Sequence, residues 1–302
     1  MRIGIFAGDV AARGGAEEVL ADARQAAEDG FPSFWLPQIF GLDAITMAGV
    51  IAREVPDIEI GTAVVPTYPR HPLMLAQQAL TASALAGGRF TLGIGLSHQV
   101  VIETVMGLSF AKPLQHMREY LSILRPLVHE RTVAFEGETL RTTATIDPGA
   151  AEPCPILVAA LGPKMLEIAG GMADGTITWM TGPETIAGHV VPTLTSSAER
   201  RGRPTPRVVA GVPVCVTDDE LSARDSAARA LRRYGTLPSY RAMLTREGLD
   251  SPVDIALIGD EDSVRAGLAR FADAGVQDLL AVELSHDARD RRRTRSLLRS
   301  LV

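Results

Sequence analysis

Cysteine and aromatic residues are scarce in this sequence of 302 residues, and long apolar runs are missing. The only two cysteines, Cys154 and Cys215, exclude a disulfide scaffold and a cysteine-rich metal cluster. No stretch reaches the roughly 18 consecutive apolar residues that a membrane span needs, and the amino terminus has no signal-peptide pattern. We therefore expect a cytoplasmic protein without a membrane partner.

Basic residues do not outnumber acidic residues in this sequence. The chain has 30 Lys and Arg against 36 Asp and Glu, a net charge of −6, which argues against a nucleic-acid partner. The run of arginines between Arg289 and Arg295 is interrupted by Asp290, so we expect it to form a solvated helix face. The motifs His-Glu-x-x-His, Cys-x-x-Cys and Gly-x-Ser-x-Gly do not occur, so neither a metal hydrolase nor a serine hydrolase is predicted, and no bound metal is expected.

Short apolar segments alternate along the chain with longer segments of helical periodicity. This pattern predicts eight strands: Ile3–Phe6, Ser33–Leu36, Ile58–Val65, Phe90–Leu96, Pro155–Ala159, Thr176–Met180, Val208–Val216 and Asp278–Val282. Such an alternation over about 300 residues predicts an α/β fold, a (β/α)8 TIM barrel that forms one domain over residues 1–302. Insertions are expected near 130–153 and 236–260. A doubly wound open sheet is the alternative.

The active sites of such barrels form at the carboxyl ends of the strands, so the residues at the predicted strand ends are the first candidates for site residues. Asp9 follows the first strand, Gln38 the second and His98 the fourth. The Gly93-Ile94-Gly95 segment lacks the third glycine of a dinucleotide-binding fingerprint, so a Rossmann site is not predicted.

Two proline-containing turns predict helix starts that bind an anion. In Met180-Thr181-Gly182-Pro183, the proline fits the first helical turn and leaves the Thr181 hydroxyl and free backbone N–H groups at the positive helix end. The Ala160-Leu161-Gly162-Pro163 segment has the same form, and Gly162 allows a close backbone approach.

Several segments together resemble one known family. They are Gly61-Thr62-Ala63-Val64 with Arg70-His71-Pro72, Gly88-Arg89-Phe90 with Gly93-Ile94-Gly95, and Ala173-Asp174-Gly175. In this order and spacing they resemble the bacterial luciferase-like superfamily, specifically the branch that uses the deazaflavin coenzyme F-420, in its actinobacterial type of mostly unassigned substrate. The resemblance covers essentially the whole chain.

The resemblance implies an oxidoreductase that transfers a hydride between C5 of the deazaflavin and a small organic substrate with an activated C=C, a C=N or an alcohol. It also implies a homodimer. An FMN-dependent monooxygenase on the same barrel, a non-redox barrel enzyme that binds a phosphate, and a non-catalytic relative remain alternatives.

The resemblance also implies roles for individual residues. Ala63 and Val64 are expected to be joined by a cis peptide bond that supports the middle ring of the coenzyme. The full set of residues expected to bind the coenzyme is Ala63, Val64, Gly95, Ala160, Leu161, Gly162, Met180, Thr181 and Gly182. His98 is the expected proton donor and Asp9 its competitor, while Gln38 stands where several relatives have an acid. Trp35, Tyr68 and His71 are expected to line the substrate pocket.

Overall fold

The computed structural model describes residues 1–8, 14–284 and 287–302. Its strands are β1 (Arg2–Phe6), β2 (Ser33–Leu36), β3 (Glu59–Thr62), β4 (Val65–Pro66), β5 (Phe90–Gly95), β6 (Thr132–Glu136), β7 (Arg141–Thr145), β8 (Ile156–Ala159), β9 (Gly175–Trp179), β10 (Arg207–Val216), β11 (Leu257–Gly259) and β12 (Asp278–Glu283). Its α-helices are α1 (Ala16–Glu28), α2 (Ala44–Glu54), α3 (Pro72–Ala86), α4 (Pro113–His129), α5 (Pro163–Met172), α6 (Pro183–Thr185), α7 (Val191–Glu199), α8 (Glu220–Leu231), α9 (Pro238–Glu247), α10 (Glu261–Asp273) and α11 (Ala288–Arg299). Single π-helical turns lie at Val101–Val105 and Ile186–Val190, and 3-10 turns at Tyr234–Thr236 and Pro252–Ile255.

Eight parallel strands in the described part of the chain close into a barrel. Around the barrel they follow the order β1, β2, β3, β5, β8, β9, β10 and β12, and β12 pairs again with β1. The pairings of Gly4 with Leu280 and of Val209 with Ile177 complete the ring. The predicted (β/α)8 barrel is therefore confirmed. An open sheet is excluded because β1 and β12 are hydrogen-bonded to each other.

The third barrel strand is interrupted by a bulge between β3 and β4. Gly61 pairs with Thr91 and Val65 pairs with Ile94, so three residues of this strand lie opposite two of β5. The Thr62 hydroxyl donates to the carbonyl of Gly93 and accepts from its N–H, both at 2.9 Å, and so replaces the missing ladder bonds. The peptide bond between Ala63 and Val64 is cis, as expected. The strand predicted over 58–65 is thus two shorter strands, and Val64 lies between them.

The inside of the barrel is polar at the amino ends of the strands and apolar above. At the amino ends, Arg207 donates to Asp278 and Glu59 at 2.7 Å, and Arg2 reaches the same two carboxylates. Burial raises the carboxyl pKa of Glu59, but hydrogen bonds and charge from Arg207 outweigh it, and that pKa lies below its ordinary value. The next layer is apolar and holds Trp35, Leu157, Ile177, Val209 and Leu280. This end of the barrel is therefore closed, and a site has to form at the other end.

The helices pack their apolar faces on the outside of the barrel. The helix predicted over 16–28 is present as α1, and the chain leaves it through Gly30 in the left-handed region, with a φ of 87°. Val19, Ala23 and Ala26, spaced for one helical face, are each 0% exposed. Among the described residues, no helix is both long and apolar enough to cross a membrane.

Additional elements interrupt the alternation of barrel strands and helices in two segments, which we refer to as the two insertions. In the first, β6 and β7 form an antiparallel hairpin in which Val133 pairs with Ala144. The carboxylate of Glu119 on α4 accepts hydrogen bonds from the backbone N–H groups of Glu138, Thr139 and Leu140, each at 2.8 Å, and so holds the hairpin turn. The second insertion contains the helix α9 and the 3-10 turn Pro252–Ile255.

The prediction that the carboxyl-terminal arginines form a solvated face is wrong for two of them. Arg295 binds Asp29 at 2.8 Å and Glu283 at 2.7 Å, and its side chain is 13% exposed. Arg293 binds Asp218 at 2.9 Å and Glu261 at 2.8 Å. These ion pairs attach α11 to neighbouring elements. The carboxylates come from distant parts of the chain, so the local charge pattern did not predict them.

Candidate functional site

The carboxyl ends of the barrel strands bring most of the predicted site residues to one face. Phe6 ends β1, Ala63 and Val64 form the bulge after β3, and Trp179 ends β9. These residues are partly exposed, whereas the apolar layer just below them is buried. Asp9 lies outside the described residues, so its expected role stays a prediction.

Trp35 forms the floor of this mouth and not a wall of a substrate pocket. Its ring is 0% exposed, and a β-carbon at Gly61 would overlap it, so the glycine makes room for the indole. The guanidinium of Arg207 lies 5.5 Å from the ring centroid on the polar side. The expected contact of Trp35 with substrate is therefore wrong. The alternation of side chains along the strand correctly predicts that the ring points into the barrel, but the ring lies one layer below the mouth.

Small inward-facing residues leave a shallow cradle on one side of the mouth. A β-carbon at Gly95 would lie 2.7 Å from Val64 Cγ2 and 3.2 Å from Ala159 Cβ, so this glycine lets the bulge and β8 approach each other. Ala63 and Ala159 have only methyl side chains, and both are partly exposed. Ala63, Val64 and Ala159 therefore form an apolar surface over the buried Gly95, and these four residues make up the cradle.

The loop after β5 holds His98, three positions beyond Gly95 of the cradle. Ser97, the residue before it, has a φ of 62°, an uncommon conformation for a residue other than glycine. Partial burial lowers the pKa of His98 below its ordinary 6.5, and the nearby charge of Arg233 lowers it further. The imidazole is therefore neutral at pH 7, with one nitrogen that donates and one that accepts.

A row of aromatic rings runs from the end of β1 at the barrel mouth to the helix α9. The ring centroids of Phe6 and Trp179 are 6.0 Å apart, those of Trp179 and Tyr234 5.8 Å, and those of Tyr234 and Tyr240 5.3 Å. Tyr240 in turn lies 5.8 Å from His98. Neither tyrosine was predicted to lie at the mouth, because Tyr240 belongs to the insertion and Tyr234 lies just before it, and no local pattern there points to the mouth. Their only signal is two tyrosines in an otherwise aromatic-poor chain.

The predicted helix start at Gly162 is open. Gly162 is the N-cap residue of α5 and has no side-chain cap, and nothing lies within 4 Å of where its β-carbon would be. The imidazole of His189 donates to the carbonyl of Leu161 at 2.9 Å and so holds the turn. Lys164 is exposed in the first turn of the helix. Uncapped N–H groups and a nearby ammonium suit an anionic group.

The second predicted helix start, at Gly182, is already filled by a carboxylate of this chain. Glu247 on α9 accepts from the N–H of Glu184 at 3.0 Å and from that of Thr185 at 2.7 Å. The Thr181 hydroxyl donates to the carbonyl of Trp179 at 3.1 Å, and Thr181 is 1% exposed. The prediction that this turn has free hydrogen-bond donors for a phosphate is therefore wrong. Contact of the coenzyme with Met180, Thr181 or Gly182 stays a prediction.

Gln38 and His71 each make structural contacts at helix starts. The amide oxygen of Gln38 accepts from the N–H of Ala44 at 2.8 Å, at the start of α2. His71 caps α3, because its Nδ1 accepts from the N–H of Leu73 at 3.2 Å, and its Nε2 lies 3.4 Å from the hydroxyl of Thr142 in the hairpin. His71 has a capping role that was not predicted, while its expected place in the pocket and a catalytic role of Gln38 stay predictions.

Tyr68 remains a candidate for the pocket wall. Its ring stacks on the imidazole of His116 at a centroid distance of 4.0 Å and an angle of 4°, and the ring of Phe110 lies 5.1 Å away on a loop. His116 Nε2 is 3.0 Å from the Thr67 hydroxyl, which fixes the imidazole below the stack. Tyr68 is therefore held in one orientation and stays partly exposed.

The fold and this mouth define an enzyme-type (β/α)8 barrel with an apolar cradle and one titratable imidazole on the loop after β5. Residues 1–278 match the model of a family described as luciferase-like monooxygenases. The chain belongs to the luciferase-like monooxygenase family, which confirms the family expected from its motifs.

Known proteins that resemble the chain agree with this assignment. The chain is 27% identical over 230 residues to 5,10-methylenetetrahydromethanopterin reductase of Methanolobus tindarius. This alignment covers 76% of this chain and 70% of the relative. It is 29% identical over 258 residues to the F-420-dependent glucose-6-phosphate dehydrogenase of Kineococcus radiotolerans, covering 80% and 75%. The solved structure of the coenzyme F-420-dependent tetrahydromethanopterin reductase of Methanopyrus kandleri superposes with a TM-score of 0.83 at 20% identity, covering 100% of this chain and 97% of that one. The expected oxidoreductase class and coenzyme agree with these names.

Proposed function

We propose that the protein is a coenzyme F-420-dependent oxidoreductase that transfers a hydride between the deazaflavin and a small organic substrate at the barrel mouth. The observation that carries this proposal is the cradle, in which the partly exposed Ala63, Val64 and Ala159 form an apolar surface over the buried Gly95. The aromatic row of Phe6, Trp179, Tyr234 and Tyr240 lies at the same mouth and offers further apolar surface. The family membership and the names of the relatives support the same coenzyme.

The open start of α5 is the part of the chain that would hold the coenzyme phosphate. The N–H groups after Gly162 have no side-chain cap, and Lys164 adds a positive charge in the first turn. We expect Lys164→Ala to weaken coenzyme binding about 10-fold, an effect that increases at low salt. Lys112→Ala is the matched control, because Lys112 is also an exposed lysine but is paired with Glu138.

His98 is the residue that moves the proton. When bound, the deazaflavin supplies the chemistry of accepting or donating a hydride at C5. A neutral imidazole accepts the proton of a substrate hydroxyl in the oxidation direction and returns it to the substrate oxygen or carbon in the reduction direction. Tyr240 packs against the imidazole and limits its exposure to water, which keeps it neutral.

The experiment that tests the proposal is a fluorescence titration of the purified protein with coenzyme F-420 and, separately, with FMN. We expect saturable binding of the deazaflavin and at least about 10-fold weaker binding of FMN. Tight binding of FMN alone would establish the monooxygenase alternative that the family description favours. Binding of neither coenzyme would contradict both.

We also propose a homodimer formed through the face of α2 and α3, and a cytoplasmic location. Val50, Met74 and Leu85 are exposed on these two helices, which is the kind of apolar face that a second copy covers. Cys154 is a buried free thiol, in keeping with a reducing compartment. Analytical ultracentrifugation is expected to give a dimer for the wild type and a monomer for the double variant Val50→Asp, Leu85→Asp. A wild-type monomer would contradict this interface.

A further inference from the structure

Most of the exposed large apolar side chains that lie outside the α2–α3 face lie on loops at the barrel mouth. The residues concerned follow β2 and β5 and range from 38% exposed for Leu108 to 62% for Phe40. We name this set the apolar rim; its members are Ile39, Phe40, Val100, Val105 and Leu108. Large apolar residues with such exposure commonly mark a binding surface when they cluster.

Contacts between neighbouring loops join the two loops that carry the apolar rim through the loop that lies between them. Arg70, on the loop between β4 and α3, binds Asp43 at 2.6 Å and so joins this loop to the one after β2. The ring of Tyr68, on the same middle loop, packs at 5.1 Å against Phe110 on the loop after β5. The loop after β5 also contains His98, which precedes Val100 by two positions. The rim therefore begins next to the proposed proton-transfer group.

The charged side chains on these three loops are all occupied by partners within the chain. Arg70 and Asp43 bind each other, and Lys112 is paired with Glu138 of the hairpin. Glu103 accepts a hydrogen bond from the side-chain amide of Gln99 at 2.9 Å. Recognition of a sugar phosphate needs charged groups free to bind it, and this side of the mouth offers apolar surface in their place.

We propose that the apolar rim binds the hydrophobic body of the substrate, so that the enzyme acts on an apolar alcohol, ketone or alkene and not on a sugar phosphate. This inference rests on the proposed function and specifies its substrate class. The reacting end of such a substrate lies between the cradle and His98, and its apolar chain lies along Phe40, Val105 and Leu108. Each methylene buried against the rim strengthens binding, because apolar surface leaves water.

A displacement assay with the full-length protein tests the substrate class. The uncharged fluorescent probe N-phenyl-1-naphthylamine is bound first, and straight-chain 2-alkanones of five to eleven carbons then displace it. We expect the dissociation constant of the ketone to fall about two- to fourfold per added methylene. Glucose 6-phosphate at millimolar concentration is expected not to displace the probe.

Variants locate this binding at the rim. The double variant Phe40→Ser, Val105→Ser is expected to bind the longer ketones at least about 10-fold more weakly. Leu221→Ser is the matched control, because Leu221 is 77% exposed on α8, away from the mouth loops. Its substitution is expected to leave the affinity for the ketones unchanged. Coenzyme F-420 affinity is expected to stay within about twofold in all three proteins, since the rim lies outside the cradle.

The outcomes separate the two proposals. Coenzyme binding without any dependence on chain length, or with no loss in the double variant, overturns the rim while the proposed function stands. A chain-length dependence without coenzyme binding overturns the proposed function while the rim stands. Displacement of the probe by glucose 6-phosphate overturns the apolar substrate class. The apolar substrate class is also overturned if the protein binds phosphatidylcholine vesicles through the rim while ketone binding shows no chain-length effect. That result would make the rim a membrane contact.

Discussion

The carboxylate of Glu247 accepts a hydrogen bond from the backbone N–H of Thr185 at 2.7 Å, although the two residues are 62 positions apart. This bond fastens the end of α9 to the start of α6, and a β-carbon at Gly182 would overlap the Glu247 side chain. The insertion, with Tyr240 in it and Tyr234 just before it, is thereby held against the mouth.

Removing the charge of Glu247 is expected to loosen this attachment without affecting the coenzyme. Glu247→Gln loses the interaction of a carboxylate with a helix start, so the free energy of unfolding is expected to fall by about 0.5–2 kcal/mol. Coenzyme F-420 affinity is expected to stay unchanged, because the phosphate is placed at α5. Thermal unfolding and fluorescence titration check the two parts. A several-fold gain in affinity would show instead that the carboxylate competes with the phosphate for this helix start.

Glu119 makes the hairpin sensitive to acid. Burial raises its carboxyl pKa, but hydrogen bonds from Thr139, Gln115 and backbone N–H groups outweigh this and lower the pKa to about 2. Since the ordinary value is 4.5, the carboxylate stabilises the folded state above pH 4.5, and this contribution is lost as the pH falls towards 2. We expect Glu119→Gln to lower the free energy of unfolding at pH 7 by about 1–3 kcal/mol.

The pH dependence distinguishes this role from simple loss of packing. Between pH 4.5 and 2, the free energy of unfolding is expected to fall less steeply for Glu119→Gln than for the wild type. Glu138→Gln is the control, because its exposed side chain pairs with Lys112 at the surface. Parallel pH profiles of wild type and Glu119→Gln would contradict the assignment.

His98 and Asp9 compete for the proton-transfer role. His98→Ala is expected to slow single-turnover reaction with the coenzyme by about 100- to 10,000-fold, the range for general acid–base catalysis, while Asp9→Ala retains most of the rate. Because the pKa of His98 lies below 6.5, the wild-type rate is expected to change with pH at a midpoint below that value. Collapse of the rate in Asp9→Ala, with His98→Ala near full rate, would transfer the role to Asp9.

Local patterns predicted the elements whose determinants are local. The eight barrel strands follow from short apolar runs, and α1 with its exit through Gly30 follows from helical periodicity and one glycine. The depth of Trp35 was missed because the alternation of a strand gives the direction of a side chain but not its layer. The capping role of His71 has a local signal that was not used, namely its position just before Pro72 at the start of α3.

Contacts between distant segments account for the remaining differences. Glu247 reaches Glu184 over 63 positions, and Arg295 reaches Asp29 over 266. Neither pairing has a signal in its own segment, because any exposed helix contains similar charges. The aromatic row has the same origin: Tyr234 and Tyr240 approach Trp179 only once the insertion folds back over the barrel.

The central claim is that the deazaflavin lies on the cradle around Gly95, and the coenzyme F-420 affinity of Gly95→Ala tests it most directly. The added β-carbon would lie 2.7 Å from Val64 Cγ2, so Val64 has to move out of the cradle surface. Gly188→Ala is the matched control, because nothing lies within 4 Å of its β-carbon position. We predict that Gly95→Ala binds the coenzyme at least about 10-fold more weakly while it still unfolds cooperatively, and that Gly188→Ala binds it like the wild type. Wild-type affinity in a folded Gly95→Ala protein would contradict the placement of the coenzyme.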